Sequence, residues 1–156
     1  MARNPAPWPY NNLGCALQRT GEFNKAIDQF DEALRLKPDY AEAYCNLGNV
    51  LLQAGRTEEA MEQWELALRF KPDYAQAHYN LGLGLARKGK LPEAMEHWKQ
   101  ALRIKPIYAE AHYNLGVALE QTGKATEAIE HYQKALQIRP DYAQAKARLA
   151  RLQPEL

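Results

Sequence analysis

The chain has 156 residues, of which 46% are hydrophobic and 25% charged, and its formal net charge is +1. This length suits one domain, and so small a net charge gives no broad attraction to nucleic acid or to an anionic membrane. No apolar run approaches the ~20 residues of a membrane span, and the start lacks the hydrophobic segment of a signal peptide. The two cysteines, Cys15 and Cys45, form no disulfide or metal-binding pattern. We therefore expect a cytoplasmic protein.

A common framework returns about every 34 residues along the chain: Asn-Leu-Gly, a further Gly, an Ala, a bulky aromatic residue, Ala-Leu and finally Pro-x-Tyr. A fixed period of this length indicates stacked supersecondary units that share one continuous core. We expect a flexible lead at 1–6 and a capping helix with a tail at 143–156. The four repeats between them are 7–40, 41–74, 75–108 and 109–142.

Each repeat predicts two helices, which repeat two illustrates. Its first helix places Leu47 and Leu51 on one face and ends at Gly55, because glycine adopts the left-handed C-cap conformation without strain. Its second helix carries Trp64 on its apolar face and ends before Pro72. In chain order, the predicted helices are 8–20, 24–36, 41–54, 58–70, 75–88, 92–104, 109–122, 126–138 and 143–152.

Small residues opposite large ones predict how each helix pair closes. The second helix of each pair should approach the first at a glycine, and a large aromatic residue should fill the space that remains. The glycines are Gly14, Gly48, Gly82 and Gly116, and the aromatic residues are Phe30, Trp64, Trp98 and Tyr132. Burial of each large aromatic side chain stabilises the fold by roughly 2–3 kcal/mol. The first helices of the repeats should start with capping boxes, such as Asp39 with Glu42, whereas Ile107 takes the place of the aspartate before 109–122.

This framework closely resembles the tetratricopeptide repeat, from about Pro7 to Tyr142. The repeats are most similar to those of the O-linked N-acetylglucosamine transferase superhelix and of bacterial tetratricopeptide repeat proteins. The resemblance implies an all-α, right-handed superhelical solenoid of four helix-turn-helix repeats and a C-terminal capping helix. It also implies that the first helix of each repeat lines a concave groove.

The resemblance further implies that the asparagine before each Leu-Gly holds the backbone of a bound peptide, since an amide side chain both donates and accepts hydrogen bonds. Packing within or between helices is the alternative role for these asparagines and for the neighbouring tyrosines. The predicted peptide-binding residues are Asn12, Asn46, Asn80, Asn114, Asn49, Tyr79, Tyr113, Leu83 and Arg87.

Other kinds of site find little support in the sequence. The carboxylate clamp by which some tetratricopeptide domains bind chaperones needs cations that the matching positions lack. The histidines fall into two pairs one repeat apart, His78 with His112 and His97 with His131, and that spacing is too long for a shared metal ion. We therefore expect no metal, no cofactor and, without a catalytic motif, no enzyme activity.

The leading hypothesis is a protein-interaction module that binds an extended peptide or protein segment in its groove, with no nucleic acid and no membrane as partner. One alternative is a self-associating scaffold, because Trp8 at the front of the array is poorly covered. Another is the targeting domain cut from a larger enzyme. RNA binding is disfavoured because the inner-face positions hold few cations, chiefly Arg19 and Arg87.

Overall fold

The computed structural model describes residues 5–153, and within that range the fold is all-α, with nine helices and no strand. Every helix boundary lies within one residue of its predicted position. None of the described helices is both long and apolar enough to cross a membrane. The helices are α1 (Pro7–Arg19), α2 (Phe23–Leu36), α3 (Ala41–Gln53), α4 (Thr57–Phe70), α5 (Ala75–Arg87), α6 (Leu91–Ile104), α7 (Ala109–Gln121), α8 (Ala125–Ile138) and α9 (Ala143–Leu152).

Two compact units divide the chain between Gly84 and Leu85, inside α5. In the first unit α2 packs on α1 and α3, α4 packs on α3, and α1 also contacts α3. In the second unit α6 packs on α7, α7 on α8, and α8 on α9. Each helix thus packs mainly on its neighbours in the chain, which is the pattern of a helical repeat protein. Most of the predicted lead at 1–6 and the last three residues of the predicted tail lie outside the described residues.

Glycine ends the first helix of every repeat, as predicted. In repeat two the N–H of Gly55 donates to the carbonyl of Leu52 at 3.1 Å, and the N–H of Arg56 donates to that of Leu51 at 2.9 Å. This is the Schellman arrangement, which needs a residue in the left-handed region. The four glycines concerned have φ of 75–80° and are Gly21, Gly55, Gly89 and Gly123.

The helix pairs close through a glycine that faces an aromatic ring. A Cβ atom at Gly48 would lie only 2.4 Å from Nε1 of Trp64, and one at Gly14 only 2.6 Å from the ring of Phe30. A third such contact joins Gly116 to Tyr132. These contacts confirm the predicted close approach of the two helices in repeats one, two and four, while the approach at Gly82 in repeat three stays a prediction. The small residue allows the two backbones to approach and the ring to fill the space.

The predicted capping box of Asp39 with Glu42 is wrong, as is that of Asp141 with Gln144, while that of Asp73 with Gln76 stays a prediction. The first helices of repeats two and four begin after Tyr40 and Tyr108, and neither start has a side-chain cap. Asp39 lies one residue too early to cap α3, and its expected partner Glu42 instead pairs with Lys71 at 3.4 Å. The capping helix α9 likewise begins after a tyrosine without a side-chain cap. An aspartate introduced at position 107 would therefore not restore a helix cap, and the exposed Ile107 does not disrupt one.

A cation over a tyrosine ring marks the end of every repeat instead. The basic residue before each Pro-x-Tyr lies 4.7–5.0 Å from the centre of that tyrosine ring. Such a contact stabilises an exposed site by roughly 0.5–1 kcal/mol, and it holds the turn from which the next helix starts. The pairs are Lys37 with Tyr40, Lys71 with Tyr74, Lys105 with Tyr108, and Arg139 with Tyr142.

Candidate functional site

The predicted binding asparagines differ in their surroundings. Asn12 is exposed, and its side chain makes no hydrogen bond within residues 5–153. Asn46 is half-buried and donates from Nδ2 to Oδ1 of the buried Asn11 at 3.0 Å. Asn114 is half-buried in α7. Asn12 and Asn46 thus keep amide groups that a ligand could use, one fully and the other through its carbonyl oxygen.

Asn80, by contrast, belongs to a buried polar network in the first unit. It is 5% exposed, donates from Nδ2 to Oδ1 of Asn49 at 2.6 Å, and accepts a hydrogen bond from Gln76 at 3.2 Å. The same Asn49 oxygen accepts the ring N–H of Trp64 at 3.2 Å. Asn80 and Asn49 therefore join α5 and α3 to the tryptophan core, which is the packing alternative considered for them.

Cys45 completes this network without being reactive. Its side chain is 1% exposed and accepts a weak hydrogen bond from Asn80 Nδ2 at 3.7 Å. Burial raises the pKa of the Cys45 thiol to about 12, so the group remains protonated at neutral pH and a poor nucleophile. The network leaves no buried polar side-chain atom without a partner among the described residues.

A cleft of about 450 Å³ opens between the first helices α1 and α3. Across it Gln18 Nε2 donates to Gln53 Oε1 at 3.0 Å, and Arg19 lies exposed beside them without an ion pair in the described chain. The lining side chains are thus mostly polar, with one positive charge, which suits hydrogen bonding to a peptide. The lining residues are Asn12, Cys15, Gln18, Arg19 and Gln53.

A second cleft, of about 400 Å³, lies between α7 and the capping helix α9. Tyr113 lines it and packs its ring against Tyr142, with ring centres 5.0 Å apart. Arg148 and Arg151 of α9 both pair with Glu120 of α7, so their charge is partly neutralised. The lining residues are Tyr113, Gln144, Ala147, Arg148 and Arg151.

The contribution of α9 to this cleft was not predicted from the sequence. Arg148 and Arg151 stand three residues apart and so share one face of a helix, a spacing that is visible in the sequence. The remaining predicted residues lie outside both clefts. Tyr79 and Leu83 are half-buried in α5, and Arg87 is exposed at its end.

Two histidines meet in the second unit, in a pairing that repeat spacing did not indicate. Nδ1 of His112 lies 2.9 Å from Nδ1 of His131, and Nε2 of His112 lies 3.0 Å from the carbonyl oxygen of Pro106. The pair joins α7 to α8 within one repeat, rather than one repeat to the next. The described residues hold no group of three or more metal-binding side chains.

Comparisons with known proteins agree with this architecture. Two protein-family models described as tetratricopeptide repeat match residues 11–75 and 109–142, and a third family model, described as TPR repeat, matches residues 85–123. No curated protein matches. A solved structure of MamA is 25% identical with a TM-score of 0.81, covering 94% of this chain and 80% of MamA.

Two further structures give the same fold. MamA from Desulfovibrio magneticus RS-1 is 27% identical with a TM-score of 0.74, covering 87% of this chain and 77% of that one. PilF of Pseudomonas aeruginosa is 24% identical with a TM-score of 0.86, covering 94% of this chain and 67% of PilF. The matching models and structures thus agree with the helix pairs described above.

Proposed function

Because the chain belongs to the tetratricopeptide repeat family, we propose that it is a non-catalytic protein-interaction module that binds an extended segment of a partner protein. The observation that carries this proposal is the presence of a cleft in each unit, one between α1 and α3 and one between α7 and the capping helix α9. Each cleft contains a residue predicted for peptide binding, Asn12 in one and Tyr113 in the other.

The free thiols of Cys15 and Cys45 support a reducing compartment such as the cytoplasm.

The chemistry of the clefts favours contact with the peptide backbone. Amide side chains such as Asn12 and Gln53 pair with the N–H and C=O groups of any sequence, while Tyr113 adds contact area at little cost in side-chain entropy. Few unpaired charges line either cleft, so binding should depend only weakly on salt. An extended segment of moderate polarity is therefore the expected ligand.

The test replaces three asparagines by alanine: Asn12, Asn46 and Asn114. A partner is first recovered from a lysate of the source organism with the unmodified protein, and its binding segment is then titrated calorimetrically against both proteins. Each lost hydrogen bond weakens binding by ~0.5–1.5 kcal/mol, so we expect the triple variant to bind about ten-fold more weakly or worse.

Asn80→Ala serves as the matched control, because the side-chain amide of Asn80 is buried and already bonded to Asn49 and Gln76. This variant should melt at a lower temperature, since it leaves buried partners unpaired, yet bind the segment with unchanged affinity once folded. Equal affinity of the triple variant and the unmodified protein would refute the proposed role of the asparagines.

Self-association is the second candidate function, and one comparison between repeats favours it. Leu13 of α1 is 49% exposed, whereas the equivalent leucines in the later repeats, Leu47, Leu81 and Leu115, are only 2–5% exposed. Trp8 on the same helix is 59% exposed. The helix face that packing covers in the later repeats is thus exposed on α1, and a second copy of the chain would bury it.

Light scattering over a range of concentrations tests this candidate. We expect the mass to rise with concentration and the rise to disappear in a Trp8→Ser, Leu13→Ser variant, because the buried apolar area is lost. Ile107→Ser is the control, since Ile107 is 71% exposed but lies in the second unit. A constant monomer mass at every concentration would exclude self-association through this face.

A further inference from the structure

A cavity of about 540 Å³ lies in the second unit, between α6 and α8, and shares no residue with the cleft between α7 and α9. Its floor is the buried side of α7, with His112, Leu115 and Leu119 each at most 7% exposed. Its volume falls in the range of small-molecule sites, roughly 300–1,000 Å³. The lining residues are Lys99, Leu102, Arg103, Pro106, Ile107, His112, Leu115, Leu119, Glu127, His131, Lys134, Gln137 and Ile138.

Comparison with the first two repeats explains why the space is open. At the equivalent place in the first unit, the rings of Tyr44 and Phe70 stack with their centres 5.7 Å apart. The hydroxyl of Tyr44 donates to the carbonyl of Pro38 at 3.1 Å. In repeat four the matching residues are His112 and Ile138. The histidine keeps the bond to the proline carbonyl, but both side chains are smaller, so the stack is missing.

The charges around the cavity are mostly positive. Lys99, Arg103 and Lys134 are exposed lining residues, and the acidic lining residue Glu127 lies 3.9 Å from Lys124 outside the cavity. Lys99 contacts Glu96 at 2.8 Å, and Arg103 lies within electrostatic range of the same carboxylate, while Lys134 forms no ion pair in the described part of the chain. The lining therefore combines apolar walls with three cations, of which Lys99 and Arg103 share a single acidic neighbour, Glu96.

Repeats one and two lack two of these three cations. Asp31 and Leu66 occupy the positions that match Lys99 and Lys134, and only Arg103 has a basic counterpart, Arg35. This concentration of positive charge thus belongs to the cavity in the second unit and is not a general property of the repeat.

The histidine pair adds a hydrogen-bond acceptor to the lining. A carbonyl oxygen only accepts, so Nε2 of His112 carries the proton in its contact with Pro106. Nδ1 of a neutral His112 is then the acceptor, and Nδ1 of His131 must donate to it. This leaves Nε2 of His131 with a lone pair.

His131 is held neutral by its surroundings. Burial, with His112, Lys134 and Lys99 nearby, lowers the pKa of His131 to about 4. An anion placed beside it would oppose the effect of these neighbouring cations and allow its ring to take up a proton. The site would then supply one more hydrogen-bond donor to the anion.

We propose that this cavity binds a small organic anion with an apolar body, of the medium-chain or aromatic carboxylate class. The apolar body packs on Leu102, Ile107 and Ile138, and the carboxylate pairs with Arg103 and Lys134. Charge complementarity selects this occupant, because burying unpaired cations against an apolar ligand is unfavourable. The site is independent of the proposed peptide clefts and gives the module a ligand of a second kind.

The test titrates isotope-labelled protein with decanoate below its micelle concentration, and with decanol and decyltrimethylammonium as neutral and cationic probes. Amide chemical shifts and calorimetry report binding. We expect one saturable site with shifts confined to α6, α7 and α8, about ten-fold tighter binding of decanoate than of decanol, and no binding of the cation. The pKa of His131, followed by its ring signals, should rise when decanoate binds.

Two variants introduce residues that repeat two carries at the matching positions. A variant with His112→Tyr, His131→Gln and Ile138→Phe recreates the aromatic stack and should abolish binding of both decanoate and decanol. Lys134→Leu should weaken decanoate about five-fold or more and leave decanol unchanged. Lys146→Leu, on the exposed side of α9, is the charge-matched control and should change neither.

Three results would overturn the proposal: equal affinity for decanoate and decanol, shifts spread over the whole protein, or unchanged decanoate binding in the Lys134→Leu variant. Binding of an acidic peptide at α6–α8 without any binding of decanoate would also overturn it, since the occupant would then be a protein segment. Circular dichroism checks that each variant is folded, and Lys134→Leu decides the matter if the triple variant does not fold.

Discussion

Replacing Trp64 with alanine is expected to lower the free energy of unfolding by about 3–5 kcal/mol, the usual cost of removing a large buried aromatic side chain. Trp64 is fully buried, and its ring N–H donates to the carbonyl of Cys45 and to Oδ1 of Asn49, both at 3.2 Å. Gly48, which faces the ring, has no side chain with which to fill the resulting cavity. Urea unfolding followed by circular dichroism measures the loss.

Trp64→Phe is the matched control, because Phe30 occupies the equivalent position in repeat one and packs against Gly14 in the same way. Phenylalanine retains most of the buried area but loses the ring N–H, so we expect a smaller loss of about 1–2 kcal/mol. If the alanine variant lost less than the phenylalanine variant, the aromatic ring could not be what holds the helix pair together.

Local signals in the sequence were enough to predict the helices and the way they pair. A glycine after each first helix and a proline after each second one determine where the helices end, since only glycine adopts the left-handed cap without strain and proline cannot continue a helix. The contact of Gly48 with Trp64 was likewise predictable, because a fixed period places a small residue opposite a large one in every repeat.

Side-chain networks could not be predicted in the same way, because they depend on residues that differ between repeats. As a predicted peptide-binding residue, Asn80 was expected to be partly exposed, yet it is buried, with Asn49 accepting its hydrogen bond. The other repeats have no asparagine at the position of Asn49, where they carry Cys15, Leu83 and Val117. Asn12 is exposed and Asn46 and Asn114 are half-buried, so the expectation of partial exposure fails at Asn80 alone among the four. Equal spacing therefore predicts equal position, but not equal surroundings.

The histidine pair shows the same limit of sequence reasoning. Repeat spacing compares a residue with its equivalents in other repeats, whereas His112 contacts His131 on the second helix of its own repeat. The distance between two such positions depends on the packing of α7 on α8. The packing of α7 on α8 also forms the floor of the cavity, so the histidine contact, which the sequence did not indicate, is part of the candidate anion site.

Lowering the pH from about 7 to about 5 is expected to destabilise the protein through these histidines. The folded-state pKa of His131 is lowered to about 4 and that of His112 is also lowered, both chiefly by burial. The unfolded chain, with an ordinary histidine pKa near 6.5, therefore binds more protons in this range. Stability is fully present above pH ~6.5 and is lost as the pH falls towards ~4.

We expect this loss to be about 1–2 kcal/mol between about pH 7 and pH 5, after discounting for solvent screening of the half-buried rings. His131→Gln, which introduces the residue that repeat two carries as Gln63, should remove most of the pH dependence in this window. Urea unfolding of both proteins at several pH values measures the difference, and nitrogen chemical shifts check that His112 is protonated at Nε2 and His131 at Nδ1. An equal slope in the two proteins would show that His131 titrates normally in the folded state and would contradict the buried pair.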